Sequence, residues 1–120
     1  MKQLFDFNAL ENIVLKLDLK QKSINTFFQK INDYKNNNPD EYKKIFNNIN
    51  LKELKNELKL SIISLVKDYT IINEQKYRLD ITLAYSKNLD IILEYKSCYT
   101  LSGDLISSSI IVDLNVELKL

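Results

Sequence analysis

From Leu79 to Leu120 the apolar positions of this chain recur at every second residue, whereas before Leu79 they recur at every third or fourth. The final run, Val112-Asp113-Leu114-Asn115-Val116-Glu117-Leu118-Lys119-Leu120, alternates apolar and polar without a fault. A pleated strand turns successive side chains to opposite faces, so this run predicts a strand with one dry and one wet side.

Parity along the three predicted strands sets their register. Leu79, Ile81, Leu83 and Tyr85 share a face of the first strand; Leu89, Ile91, Leu93, Tyr95 and Tyr99 share a face of the second. Hairpin pairing must bring both sets to one side, because a slip of one residue turns a whole strand over. Both sets are odd-numbered, so the loop holds an odd number of residues. Ser86-Lys87-Asn88 fits, with Asn88 in the left-handed conformation that ends a three-residue loop. Leu83 then opposes Ile91, and Asp80 opposes Glu94. Gly103 is the only glycine. A two-residue turn at Ser102-Gly103 sets Leu101 against Asp104 and flips parity. Ile106, Ile110, Val112, Leu114, Val116, Leu118 and Leu120, all even, then join the dry face of a three-stranded antiparallel meander.

In that register Glu117 to Leu120 overhang the first hairpin, and Ile92 and Ile111 sit close together on the wet face. An unpaired strand edge is a template for another chain. Ile92, Ile111, Glu117 and Lys119 are therefore the candidate binding residues.

The first part of the chain predicts about four helices. Asn8, Asn38 and Asn50 each stand before a helical stripe with Glu three residues on, as in a capping box, and Pro39 takes a first helical position. Ser23 opens a further helix with the face Ile24, Phe27, Phe28, Ile31 and Tyr34. From Asn50 the stripe Leu51, Leu54, Leu58, Ile62, Leu65, Tyr69 and Ile72 predicts one long helix, roughly 34 Å at 1.5 Å per residue. A rival reading makes Tyr69 to Ile72 a strand paired with Tyr77 onward. The unbroken stripe favours the helix. The expected fold is α+β in a single domain, residues 1–75 helical and 76–120 sheet, with the dry face packed on the long helix.

Composition narrows the chemistry. At 120 residues, 45% hydrophobic and 28% charged, the chain fits one globular domain. The net charge of +1 offers no strong field for a polyanion, and Arg78 is the only arginine, so nucleic-acid binding is disfavoured. There is no histidine, which removes the commonest general base and metal ligand. Cys98 is the only cysteine, so neither an intramolecular disulfide nor a cysteine zinc site is available. No run is long and apolar enough to span a membrane, and the first residues lack a secretion signal, so the expectation is a cytoplasmic protein.

One constellation suggests an enzyme. Asp80, Glu94 and Lys96 form an Asp…Glu-x-Lys series on the wet face of adjacent strands. The series resembles the motif of the PD-(D/E)xK nucleases. The resemblance implies two carboxylates holding Mg²⁺ and a lysine that helps activate water. It departs from the family pattern in two respects: a third strand, rather than a helix, follows Glu-x-Lys, and no proline precedes Asp80. The alternative is a solvated ladder in which Arg78 opposes Lys96, Asp80 opposes Glu94, and opposite charges meet on the diagonals. The ladder reading leaves no catalytic residue, metal or cofactor. The leading expectation is a small non-enzymatic interaction protein of a bacterium or mobile element, of the inhibitor or immunity type. It would dock a protein partner or a second copy of itself through the sheet.

Overall fold

The computed structural model describes residues 7–67, 77–113 and 116–120. Among the described residues four helices precede a five-stranded antiparallel sheet. The helices are α1 (Phe7–Lys16), α2 (Leu19–Asn37), α3 (Pro39–Ile45) and α4 (Leu51–Glu57). The strands β1 (Lys59–Lys67), β2 (Tyr77–Lys87), β3 (Asp90–Tyr99), β4 (Leu105–Val112) and β5 (Val116–Lys119) lie side by side in chain order.

The helix α2 packs on the sheet through one row. Leu19, Ser23, Phe27 and Ile31 are its buried residues. A spacing of four returns each side chain to the same face. Beneath it lie the odd residues of β2 and β3 and the even residues of β4: Leu79, Ile81, Leu83, Leu93, Tyr95, Ile110 and Val112 are all buried. The dry layer predicted by parity is present. Burying each such side chain contributes about 1.5–3 kcal/mol, so this layer dominates the fold. Phe27 tilts against Tyr95 with ring centroids 5.4 Å apart.

Several local expectations need correction. The helix after Asn50 ends at Glu57, and Lys59–Lys67 is a strand. Leu58 and Leu65 share the stripe only by accident of spacing. Ile62, Ile63 and Val66 are β-branched, and pairing along β2 is open to this segment, with Ile63 against Ile81 and Leu65 against Leu79. The helical half therefore stops well short of residue 75. The rival strand at Tyr69 to Ile72 lies outside the described residues, although the hairpin it implied, ahead of Tyr77, is formed by β1.

The capping signals succeed at Asn50, whose side chain accepts from the backbone N–H of Lys52 at 2.9 Å. Glu53 does not complete the box, because it accepts from the Tyr85 hydroxyl at 3.1 Å. Pro39 opens α3, but Asn38 makes no side-chain cap. Asn8 lies inside α1, and Ser23 lies inside α2 rather than at its start. The break between those helices falls at Asp18, with φ 53°. Aspartate is among the few residues that tolerate this left-handed conformation.

Both hairpin turns differ from expectation, and the faces survive only beyond them: Leu89 and Ile91, expected on the dry side, fall in and beside the first turn and are exposed. Lys87 pairs with Asp90 across a two-residue turn, Asn88-Leu89. Such a turn alone would invert the second strand, but a bulge follows, and by Tyr85 opposite Leu93 the odd sets are together again. At Gly103 (φ 91°) the loop is Leu101-Ser102-Gly103, closed by the Thr100 N–H donating to the Asp104 carbonyl at 2.8 Å. A second bulge restores Cys98 opposite Ser107 and Leu93 opposite Val112, the predicted register. Ile106, expected in the dry layer, falls at that bulge and is exposed.

The expected overhang does not exist. Asp113 takes φ 51°, and the chain returns as β5 alongside β4, with Val116 opposite Val112 and Leu118 opposite Ile110. The Lys30 ammonium donates to the Leu120 carbonyl, tying the chain end to α2.

Candidate interaction face

Among the described residues the helices cover one face of the sheet. Its other face displays the intervening side chains in rows across the strands. One row runs Ile62, Thr82, Lys96, Ser109, Lys119; the next runs Ser64, Asp80, Cys98, Ser107. A third carries Ala84, Glu94, Ile111 and Glu117. A shallow hollow of about 530 Å³ lies along these rows. Its floor is hydroxyl-rich, from Ser64, Thr82, Ser107 and Ser109, and Ile62 stands 51% exposed beside it.

This geometry relocates the candidate residues. Asp80 opposes Cys98, Glu94 opposes Ala84 and Lys96 opposes Thr82. Glu94 is thus displaced by four residues along the strands from Asp80, about 13 Å at 3.3 Å per residue. The pairing of Asp80 with Glu94 expected from a three-residue loop is corrected by the bulged two-residue turn. Among the described residues no three Asp, Glu or Cys side chains are grouped to hold a metal ion. Asp80 instead accepts from Arg78 two residues along its own strand, Nε to Oδ1 at 3.0 Å. The diagonal charge ladder is corrected with the register. The Cys98 thiol is pushed up chiefly by burial, with Asp80 adding and Ser107 opposing, so it stays protonated near neutral pH.

The candidate binding residues divide. Ile111 stands half-buried between Glu94 and Glu117, and Lys119 opposes Ser109. Glu117 and Lys119 therefore belong to this face as part of β5, not as an overhang. Ile92 is the unpaired residue of the first bulge and packs partly against the core. Ile62, Ser64 and Thr82 were missed. The first two lie on a strand whose apolar spacing imitates a helix, and the alternation Leu58, Leu60, with β-branched residues following, was the signal available. No known family model matches the sequence, and no curated protein or solved structure is significantly similar to it.

Proposed function

We propose that this chain is a small non-enzymatic interaction module that docks a protein partner through the open face of its sheet. The supporting observation is that α1 to α4 serve one face, while the opposite face offers Ile62 and Ile111 among short hydroxyls, Lys96, Glu117 and Lys119. Interfaces of non-obligate complexes have this mixture, with a few apolar anchors inside a polar rim. An intracellular inhibitor or immunity-type role, in a bacterium or mobile element, suits a chain of this size and charge.

Site-specific photo-cross-linking tests the reading. A cross-linker at Ile111 or Lys119 should capture one discrete partner in an extract of the source cells, whereas one at Lys35, on α2, should not. Equal capture from both sides, or none from Ile111 and Lys119, would refute docking through this face.

A further inference from the structure

We propose that β1 is a self-recognition strand: a second copy of this chain pairs antiparallel along its outer edge, with Ser64 of one copy opposite Ser64 of the other. The inference goes beyond the docking reading above, since it uses the outer edge of β1 rather than the open face of the sheet. The strand stands at the end of the sheet, with β2 on its inner side and, among the described residues, no strand on its outer side. Edge strands are commonly guarded by lysines and bulges. Here Lys59 and Lys67 stand at the two ends and a bulge falls between Leu60 and Ile62. Between them Ile62-Ile63-Ser64-Leu65-Val66 carries no charge, and Ile62 and Leu65 are 51% and 42% exposed.

The sequence of that window selects one register. In a continuous antiparallel sheet directly opposed residues share a face, so a twofold axis through the sheet pairs even positions with even and odd with odd. Centring on Ser64 sets Ile62 against Val66 on the open face and Ile63 against Leu65 on the helix face, twice each by symmetry. Centring on Ile63 would set Ile62 against Ser64, and centring on Leu65 would set Ile63 against Lys67. Only the Ser64 register places apolar against apolar on both faces and keeps each lysine away from its counterpart.

A second feature lies along the same edge. A hollow of about 570 Å³ runs between α1 and β1, walled by Val14, Leu15, Leu60 and Ile63. Leu15 is 75% exposed, and both acidic and basic side chains, among them Glu11, Asp18 and Lys55, stand around it. A surface that meets its own copy needs both signs within one patch, and this one has them. The net charge of +1 puts little long-range repulsion between copies.

Sedimentation of the intact chain tests this, with residue 64 as the probe. The wild type should be dimeric at about 100 µM. Ser64→Lys and Ser64→Glu each place like charges together on the axis and should weaken association at least about tenfold, while an equimolar mixture of the two should restore it as a heterodimer. A wild type that stays monomeric at that concentration overturns the proposal, and so does a dimer indifferent to both substitutions. Should both variants lose their circular-dichroism signature, the wild-type measurement still decides. A monomer that cross-links a foreign partner through Ile111 refutes self-pairing and leaves the docking reading standing; a dimer with no such cross-link does the reverse.

Discussion

The hydroxyls of Ser23 and Tyr99 meet 2.7 Å apart inside the protein, joining α2 to β3. The Ser97 hydroxyl closes the group, 3.0 Å from Ser23 Oγ, and reaches back to the Ile81 carbonyl at 3.4 Å. A buried hydroxyl without a partner costs roughly 1–3 kcal/mol, so this trio fixes where α2 sits along the sheet as well as how firmly.

Ser23→Ala should therefore destabilise the fold by about 1–3 kcal/mol, since it strands the Tyr99 hydroxyl. Adding Tyr99→Phe to it should cost less than the two single changes summed. Urea unfolding of the four proteins in a double-mutant cycle measures the difference. Strict additivity would show that the contact contributes nothing.

Tyr95 behaves oppositely. Among the described residues its hydroxyl and that of Ser108 are buried side by side, and neither makes a well-formed hydrogen bond. Burial, the leading cause, holds the Tyr95 phenol up at about 12, with Ser108 alongside pulling slightly downward. Removing an unsatisfied buried group can be neutral or stabilising, so Tyr95→Phe should leave stability unchanged or raise it by up to about 1 kcal/mol at pH 7. The alkaline limb has a definite sign. In the unfolded chain this phenol ionises near its ordinary 10, and in the fold only near 12, so the unfolded state binds fewer protons in between and stability falls as pH rises from 10 to 12. The variant should lose stability less steeply across that window in thermal melts taken at stepped pH. An identical slope would rule out Tyr95 as a contributor.

The separation of Asp80 from Glu94 makes a prediction about metal. Mg²⁺ demands near-octahedral oxygen ligation, and one carboxylate already held by Arg78 with another displaced along the strands does not supply it. Calorimetric titration with Mg²⁺ or Mn²⁺ should give no heat of specific binding, and Glu94→Ala should not alter the trace. Micromolar binding lost on that substitution would revive the nuclease reading. Asp80→Ala, which removes a partly exposed ion pair, should cost less than about 1 kcal/mol in the same unfolding assay.

What the sequence made legible was the sidedness of the strands. Leu79, Leu93 and Val112 were assigned to one face from parity alone, and that assignment survived two wrongly placed turns. It survived because burial enforces a side for every residue of a strand, whereas the turn that delivers it can be built in several ways, two residues plus a bulge serving as well as three. The stretch Leu58 to Lys67 failed for the complementary reason. Its apolar residues satisfy a period of 3.6 and, allowing one bulge, a period of 2, and only the partner strand β2 settles which is used. The strand that this ambiguity conceals carries one edge of the open face, including Ile62 and Ser64. At the other end, the fault-free alternation from Val112 to Leu120 concealed a reversal at Asp113, because a loop of odd length returns even residues to the same side. The charge constellation at Asp80, Glu94 and Lys96 depends on absolute register rather than parity, so the bulged turn is enough to separate Asp80 from Glu94.

The turn between β2 and β3 gives the most direct engineering test. Asn88 and Leu89 both take positive φ, 54° and 70°, as a two-residue hairpin turn of this hand requires. Asparagine tolerates that conformation; leucine does not, because its Cβ crowds the carbonyl oxygen at a cost of about 1–2 kcal/mol. Leu89 recovers nothing through packing, being fully exposed. Glycine meets no such crowding but surrenders more entropy on folding, which offsets part of the gain. Leu89→Gly should therefore stabilise the protein by about 0.5–1 kcal/mol, whereas Leu89→Val should destabilise it, since a β-branched side chain resists positive φ still more strongly. Because the turn precedes the bulge that sets Tyr85 against Leu93, the glycine variant should keep the tyrosine near-ultraviolet dichroism of the wild type while its unfolding midpoint rises. A lowered midpoint for Leu89→Gly would mean that the hairpin closes through some other pair of residues.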